Sequence, residues 1–300
     1  MNPGSPITQR AALGALHVAV LLFGLTGVLG KLADSSPAII VFSRAAFAVL
    51  ALSLCAGLFG RASWQPLNGA NWRRLALGGL LLAGHWISFF IAVNGAGVAI
   101  ATLGFASFPA FTVLLEGLIF RERIRHSEIG LIVLVSLGLL LVAPDFNLAS
   151  AATSGLLWAV LSGLLFALLS LVNRSGVGKL APAQAALGQN LLVACCLLPF
   201  AAPGLPDLPA LSWLWLVLLG VFCTALSHWL FVASLSALKA RTAAVAFALE
   251  PVYGISFAWL LFAQAPSLRM LAGAALIMLA ILLSVLRPAH STRPSAAEPL

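Results

Sequence analysis

Charge is what this sequence has least of. Charged residues fill 8% of its 300 positions, with only eight Asp and Glu among them, where soluble domains carry roughly 25%. Too few polar groups are present to cover a surface in water, which excludes a soluble globular domain. Disorder is excluded by the opposite excess, 62% hydrophobic residues. Cysteine is scarce as well. Cys55, Cys195, Cys196 and Cys223 all fall inside apolar runs, which excludes a disulfide framework and predicts four small buried hydrophobes. No GxxxxGK[ST] loop occurs, so an ATP-driven pump working alone is excluded. HExxH, CxxC and GxSxG are absent too, and Cys195-Cys196 has no partnered ligands nearby, so no metal site and no cofactor are expected.

Long apolar runs are what the chain has in abundance, with a mean hydropathy of +1.09. A bilayer core about 30 Å thick takes roughly 20 apolar residues per helix. Breaks at charges, prolines and glycine clusters divide the chain into ten runs, 11–30, 37–59, 74–94, 97–120, 127–143, 153–173, 181–200, 211–237, 242–264 and 267–286. The reading is an all-α polytopic membrane protein. The net charge of +8 then concerns orientation rather than nucleic acid, for which no role is expected. With the N-terminus on one side, thirteen of the sixteen basic residues fall in loops on that side, and only Lys31 and Arg269 on the other. Arg44 lies within span two. Such asymmetry predicts cytoplasmic termini. Trp72, Trp213 and Trp215 open their spans as interfacial anchors would.

The two halves repeat. His85-Trp86 answers to His228-Trp229, and Phe105-Ala106-Ser107-Phe108-Pro109 answers to Phe247-Ala248-Leu249-Glu250-Pro251. Phe120 matches Phe262, and Gly130 matches Gly273. The offset makes each unit five spans long, so the second enters the membrane upside down. The expected organisation is a tail over 1–10, a first repeat over 11–143, a linker over 144–152, a second repeat over 153–286 and a tail over 287–300. Inverted repeats of this kind characterise secondary transporters, whose sites lie near the midplane where the repeats meet.

Depth singles out candidate site residues. His85 lies eleven residues from Arg74 and His228 eleven from Lys239, which is roughly 16 Å, or half the hydrocarbon core. Pro109 and Pro251 are predicted helix breaks at similar depth. Polar residues so deep face a cavity or one another. One reading has His85 (beside Ser88, Phe89 and Ala92) and His228 (beside Thr224, Phe231 and Val232) lining a central pathway with Trp86 and Trp229. The other has each imidazole bonding a neighbouring backbone and only holding helices together. Glu250 would bind a substrate amino group or a proton, or else pair with a polar neighbour. For Glu116, Arg44 is one conceivable partner. Phe89, Phe105, Phe108, Trp158, Phe247 and Tyr253 would suit an apolar or aromatic side chain, or serve ordinary packing. Gly24, Gly27 and Gly30 let helices approach closely.

The chain also resembles the EamA-type exporters of the drug/metabolite transporter superfamily. The resemblance rests on Ala248 to Tyr253, Ala258 to Phe262, Gly273, Leu276 and Ile277 in the second half. In the first half it rests on Pro109, Phe120 to Ile124 and Gly130, with Arg44 at a position where these proteins often carry arginine. Gln264 departs from the pattern, standing where the second unit usually has the glutamate matched by Glu122. The resemblance covers essentially the whole chain and implies two tandem five-span EamA units. It further implies export of amino acids or similar metabolites across a bacterial inner membrane by alternating access, with no enzymatic activity. The expected partners are an amino-acid-like substrate and the lipid bilayer, and the expected working unit is a monomer. Drugs or other metabolites as cargo, a channel-like permease and an intramembrane enzyme are the competing readings.

Overall fold

The computed structural model describes residues 8–59, 64–119, 124, 126–143, 147, 149–175, 180–234, 237–238, 246–247 and 249–286. Phe120, Arg121, Glu122, Arg123 and Ala248, parts of both tails and several basic loop residues (Arg61, Arg125, Lys179, Lys239 and Arg241) lie outside these. The described residues are helical throughout, with no strand among them. The helices are α1 (Gln9–Leu32), α2 (Pro37–Phe59), α3 (Gly69–Phe105), α4 (Phe108–Ile119), α5 (His126–Val142) and α6 (Ala151–Ser175). After these come α7 (Pro182–Ala201), α8 (Ala210–Gly220), α9 (Ser227–Ser234), α10 (Glu250–Phe262) and α11 (Leu268–Leu286).

Polar residues in the loops start the helices. Thr8 Oγ1 accepts from the Ala11 amide at 3.3 Å, and Asn68 Oδ1 from the Asn71 amide at 2.8 Å. Six helical stretches are long and apolar enough to cross a bilayer on their own. Shorter apolar helices, α4, α5 and α11, add to these. Helix α3 contains the third span and the first half of the fourth. Its chain reverses at Gly97 (φ 84°, ψ 167°), a left-handed conformation that glycine adopts without steric cost. Helix α4 completes the fourth span. Helices α8 and α9 make the eighth, joined by a π-helical stretch over Val221–Leu226.

Packing follows the repeat. The second spans of the two halves, α2 and α7, pack on each other, and so do the fifth spans, α5 and α11. The first span of each half packs against the third and fourth spans of the other: α6 against α3 and α4, and α1 against α9 and α10. Each contact has its counterpart under exchange of the halves, as two inverted five-helix units require. Helix α6 approaches α3 through Gly155, Ala159 and Gly163, small residues four apart on one face. A Cβ at Gly104 of α3 would meet that of Ala159 at 2.5 Å.

Contrary to the expectation from their apolar neighbours, the four cysteines are not all buried. Cys223 is buried and Cys196 half-buried, but Cys55 and Cys195 are exposed on the outer faces of α2 and α7. In lipid an outward position is as apolar as the core, so burial does not follow from an apolar neighbourhood.

Candidate substrate site

Two helix breaks at repeat-related positions build the site. Helix α3 ends at Phe105 and α4 begins at Phe108, so the fourth span is interrupted at Ala106-Ser107. The ninth span resumes as α10 at Glu250. Pro109 and Pro251 are each the second residue of the new helix, where the missing N–H would have no intrahelical partner anyway. Ser107 covers its break by donating its hydroxyl to the Gly104 carbonyl at 2.7 Å.

A glycine of the other half is pressed against each break. A Cβ at Gly163 would stand 2.6 Å from Ser107 Oγ and 3.0 Å from the Phe105 carbonyl oxygen. A Cβ at Gly24 would stand 2.7 Å from that of Tyr253 and 3.2 Å from the Glu250 carbonyl oxygen. Hydrogen at these two positions is what lets α6 and α1 reach the breaks.

Around the breaks stand two aromatic boxes, three of whose pairs the repeat relates. In the first, the ring of His85 lies 5.1 Å from Phe105, 5.0 Å from Phe166 and 6.5 Å from Phe89. In the second, Phe23 lies 6.4 Å from His228 and 5.3 Å from Phe247, and Phe231 lies 5.0 Å from Phe247. His85 and His228, and Phe23 and Phe166, are 143 positions apart, and Phe105 and Phe247 are 142 apart; Phe231 falls one position out of register with Phe89, whose counterpart at the histidines' offset is Val232.

The boxes differ in state. His85 is 7% exposed. Its Nδ1 lies 2.7 Å from Ser162 Oγ and 3.2 Å from the Ser162 carbonyl oxygen, and Ser162 Oγ donates to the His85 carbonyl at 3.0 Å. That reciprocal pair ties α3 to α6. His228 is exposed and has no hydrogen bond among the described residues. The first box is closed and locked, and the second is open.

Between the breaks lies a small recess of about 20 Å³, partly open to the outside. Thr102, Phe105, Ala106 and Phe108 line it from the first half, and Phe247, Glu250, Pro251 and Ile281 from the second. Phe105 and Phe247 are repeat mates, and so are Phe108 and Glu250. The second half therefore sets a carboxylate where the first sets a phenyl ring. The Glu250 side chain makes no hydrogen bond among the described residues, so its oxygens remain available to whatever occupies the recess.

A buried cation stands on α2. Arg44 of α2 is 5% exposed. Its Nε donates to Thr224 Oγ1 at 2.7 Å, and its guanidinium lies 4.0 Å from the centroid of Trp86. Thr224 is placed by the π-helical stretch, where its hydroxyl also donates to the Leu219 carbonyl at 3.0 Å. The partner of Arg44 is thus Thr224 with Trp86, not Glu116. Arg44 is also close enough for its charge to act on His85, His228 and Glu250.

The EamA-like transporter family model matches this chain twice, over residues 10–143 and again over 153–286. The chain belongs to the EamA-like transporter family. Among the relatives of this EamA-like chain is an uncharacterized transporter, YxxF, of Bacillus subtilis (strain 168), 24% identical over 93% of this chain and 91% of that protein. A second, the uncharacterized transporter PA0485 of Pseudomonas aeruginosa, is 31% identical over 40% of this chain and 42% of that one. A solved crystal structure of similar fold has a TM-score of 0.62 at 20% identity and covers 92% of this chain and 97% of that chain.

The structure of this EamA-like chain sorts the residues singled out from sequence. Phe105, Phe108, Phe247, Glu250 and Pro251 meet at the recess, with Pro109 at its edge. His85, Phe89 and His228 stand in the boxes beside it. Trp86 lies beneath Arg44. Tyr253 is turned toward α1, against Gly24. Trp158 is 39% exposed on the face of α6 opposite α3, in a stripe with Leu157 and Leu161, and Trp229 is 64% exposed beyond Phe222. Phe23 and Phe166 were not anticipated. The repeat offset that pairs the histidines would have found them, because it carries Phe23 onto Phe166.

Proposed function

We propose that this membrane transporter is a secondary exporter of amino acids, aromatic and other neutral ones, across a bacterial inner membrane by alternating access. The observation that carries the reading is the pair of repeat-related aromatic boxes flanking one recess, one closed and one open. Two inverted halves that differ in this way can exchange their states, and exchange would turn the recess from one face of the membrane to the other. The aromatic walls suit an apolar side chain, and Glu250 offers a carboxylate to an amino group. The spacing of the His-Trp pairs and the chain length, which resemble those of the amino-acid exporter YddG, support the same cargo. The excess of basic residues in the loops on one side supports cytoplasmic termini.

Counterflow in proteoliposomes loaded with a panel of amino acids, nucleosides and drugs tests this reading. Saturable exchange of neutral amino acids is expected, lost in Glu250→Ala. Non-saturating permeation would mark a channel, and no flux of any amino acid would defeat the proposal.

A further inference from the structure

The recess beside Glu250 is small, and its lining is chemically one-sided. At about 20 Å³ it exceeds the roughly 10–15 Å³ that one water needs, and a whole amino acid does not fit inside. Three phenyl rings, Phe105, Phe108 and Phe247, wall it, and its two polar side chains are Glu250 and Thr102. No cationic side chain lines it among the described residues. Thr102 is 4% exposed and donates its hydroxyl to the Val98 carbonyl at 2.8 Å. Its proton is thereby committed, so toward a guest the oxygen only accepts. A Cβ at Gly254 would stand 3.4 Å from that oxygen, so the hydroxyl faces α10 one turn beyond Glu250. The Glu250 carboxylate makes no hydrogen bond among the described residues. The side chains of the recess thus present acceptors and a negative charge, and no donor.

An anion would meet the like charge of Glu250 and find no side-chain donor. Hard metal cations call for about six oxygens or more, beyond what two side chains give. A primary ammonium group is the guest that matches. It is close to a water in size and carries the opposite charge. It has three N–H donors, one for each of the three acceptor oxygens, two on Glu250 and one on Thr102. We propose that the recess is a subsite for an unsubstituted primary ammonium group, held by Glu250 and Thr102, which shuts out N-methylated amines by size. This rests on the reading of the recess as part of the transport site and narrows its substrates to primary amines. The rest of the substrate stays outside, on the open side of the recess, and a carboxylate is not read there.

Titration calorimetry on the purified full chain tests the subsite with three probes. These are phenethylamine, phenethyltrimethylammonium, which keeps the charge but has no N–H and is larger, and 3-phenylpropionate, which has the opposite charge. Phenethylamine is expected to bind roughly tenfold or more tightly than either of the others. Glu250→Gln should weaken it by roughly 10- to 100-fold, the span of a charge-assisted hydrogen bond, and Thr102→Val, which removes one acceptor, by a smaller factor. Phenethyltrimethylammonium bound as tightly as phenethylamine overturns the subsite. So does wild-type protein that binds no amine, or an unchanged preference in Glu250→Gln. If Glu250→Gln does not fold, Thr102→Val decides, and unweakened phenethylamine binding there overturns the proposal. Counterflow of L-phenylalanine beside its N,N,N-trimethyl derivative separates the subsite from the transport reading. Equal exchange of the two would keep amino-acid export and sink the subsite. Amine binding with the stated preference but no amino-acid flux would uphold the subsite and sink export.

Discussion

His85 and His228 are the same residue in two settings. Both lie about half a bilayer deep on third spans of their halves, yet one is locked to Ser162 and the other is open. The lock joins α3 to α6 through three polar contacts in an apolar surround, so its loss should be felt as stability. Ser162→Ala is expected to cost about 1–3 kcal/mol, the range for losing buried hydrogen bonds and leaving a partner unmet. Thermal unfolding in detergent reads that cost, and the KM of the folded fraction should not change. A raised KM with unaltered stability would mean that His85 touches substrate instead. Counting residues from flanking charges gives an expected depth for the histidines from the sequence alone. It gives no azimuth. In a soluble helix the polar side marks the outside, but here lipid and core are equally apolar and the periodicity that separates faces is lost. That is why Trp158 and Trp229, 39% and 64% exposed, could be grouped with the site, and why Cys55 and Cys195 could be expected inside. The partner of Arg44 was hidden for a related reason. Thr224 is 180 positions away, and a π-helical stretch shifts its register.

At the scale of elements, the prolines mark where a span stops being one helix. Pro109 and Pro251 each forbid the hydrogen bond that would continue a helix through the break. Pro109→Ala would supply that N–H, let α3 run on into α4 and narrow the recess. Stability is expected to hold or rise, while initial flux falls on the order of tenfold, the equivalent of about 1.4 kcal/mol. Pro251→Ala should behave alike. Unfolding midpoints measured beside flux distinguish this from a packing role, in which both would drop together. The breaks were readable from sequence because a proline at mid-depth is hard to reconcile with a continuous span. The glycines that make them approachable were readable only in part. Gly24 was expected to permit close approach, but its contact with the Glu250 backbone required the pairing of α1 with the opposite half.

The whole molecule is governed by the exchange symmetry of its halves. Second span meets second span, fifth meets fifth, and first meets third and fourth. Five spans per half and thirteen basic residues counted on one side predict that the two termini lie together. Reporter fusions at each end should therefore both be cytoplasmic, and ends on opposite faces would remove the inverted arrangement altogether. Symmetry was legible from a handful of repeated residues because the offset holds across a whole half. The asymmetry of the two boxes was not, because nothing in the sequence says which half is closed.

The central claim is that Phe105 and Phe247 look into one water-accessible recess shared by the repeats. Each would be replaced by cysteine, singly, in a chain freed of Cys55, Cys195, Cys196 and Cys223, and its rate of labelling by a membrane-impermeant maleimide measured in proteoliposomes with and without transported amino acid. Both positions are expected to label from the aqueous phase, and the same substrate should slow both together. Labelling of one position alone, or of neither, or rates indifferent to substrate at both, would contradict the shared recess.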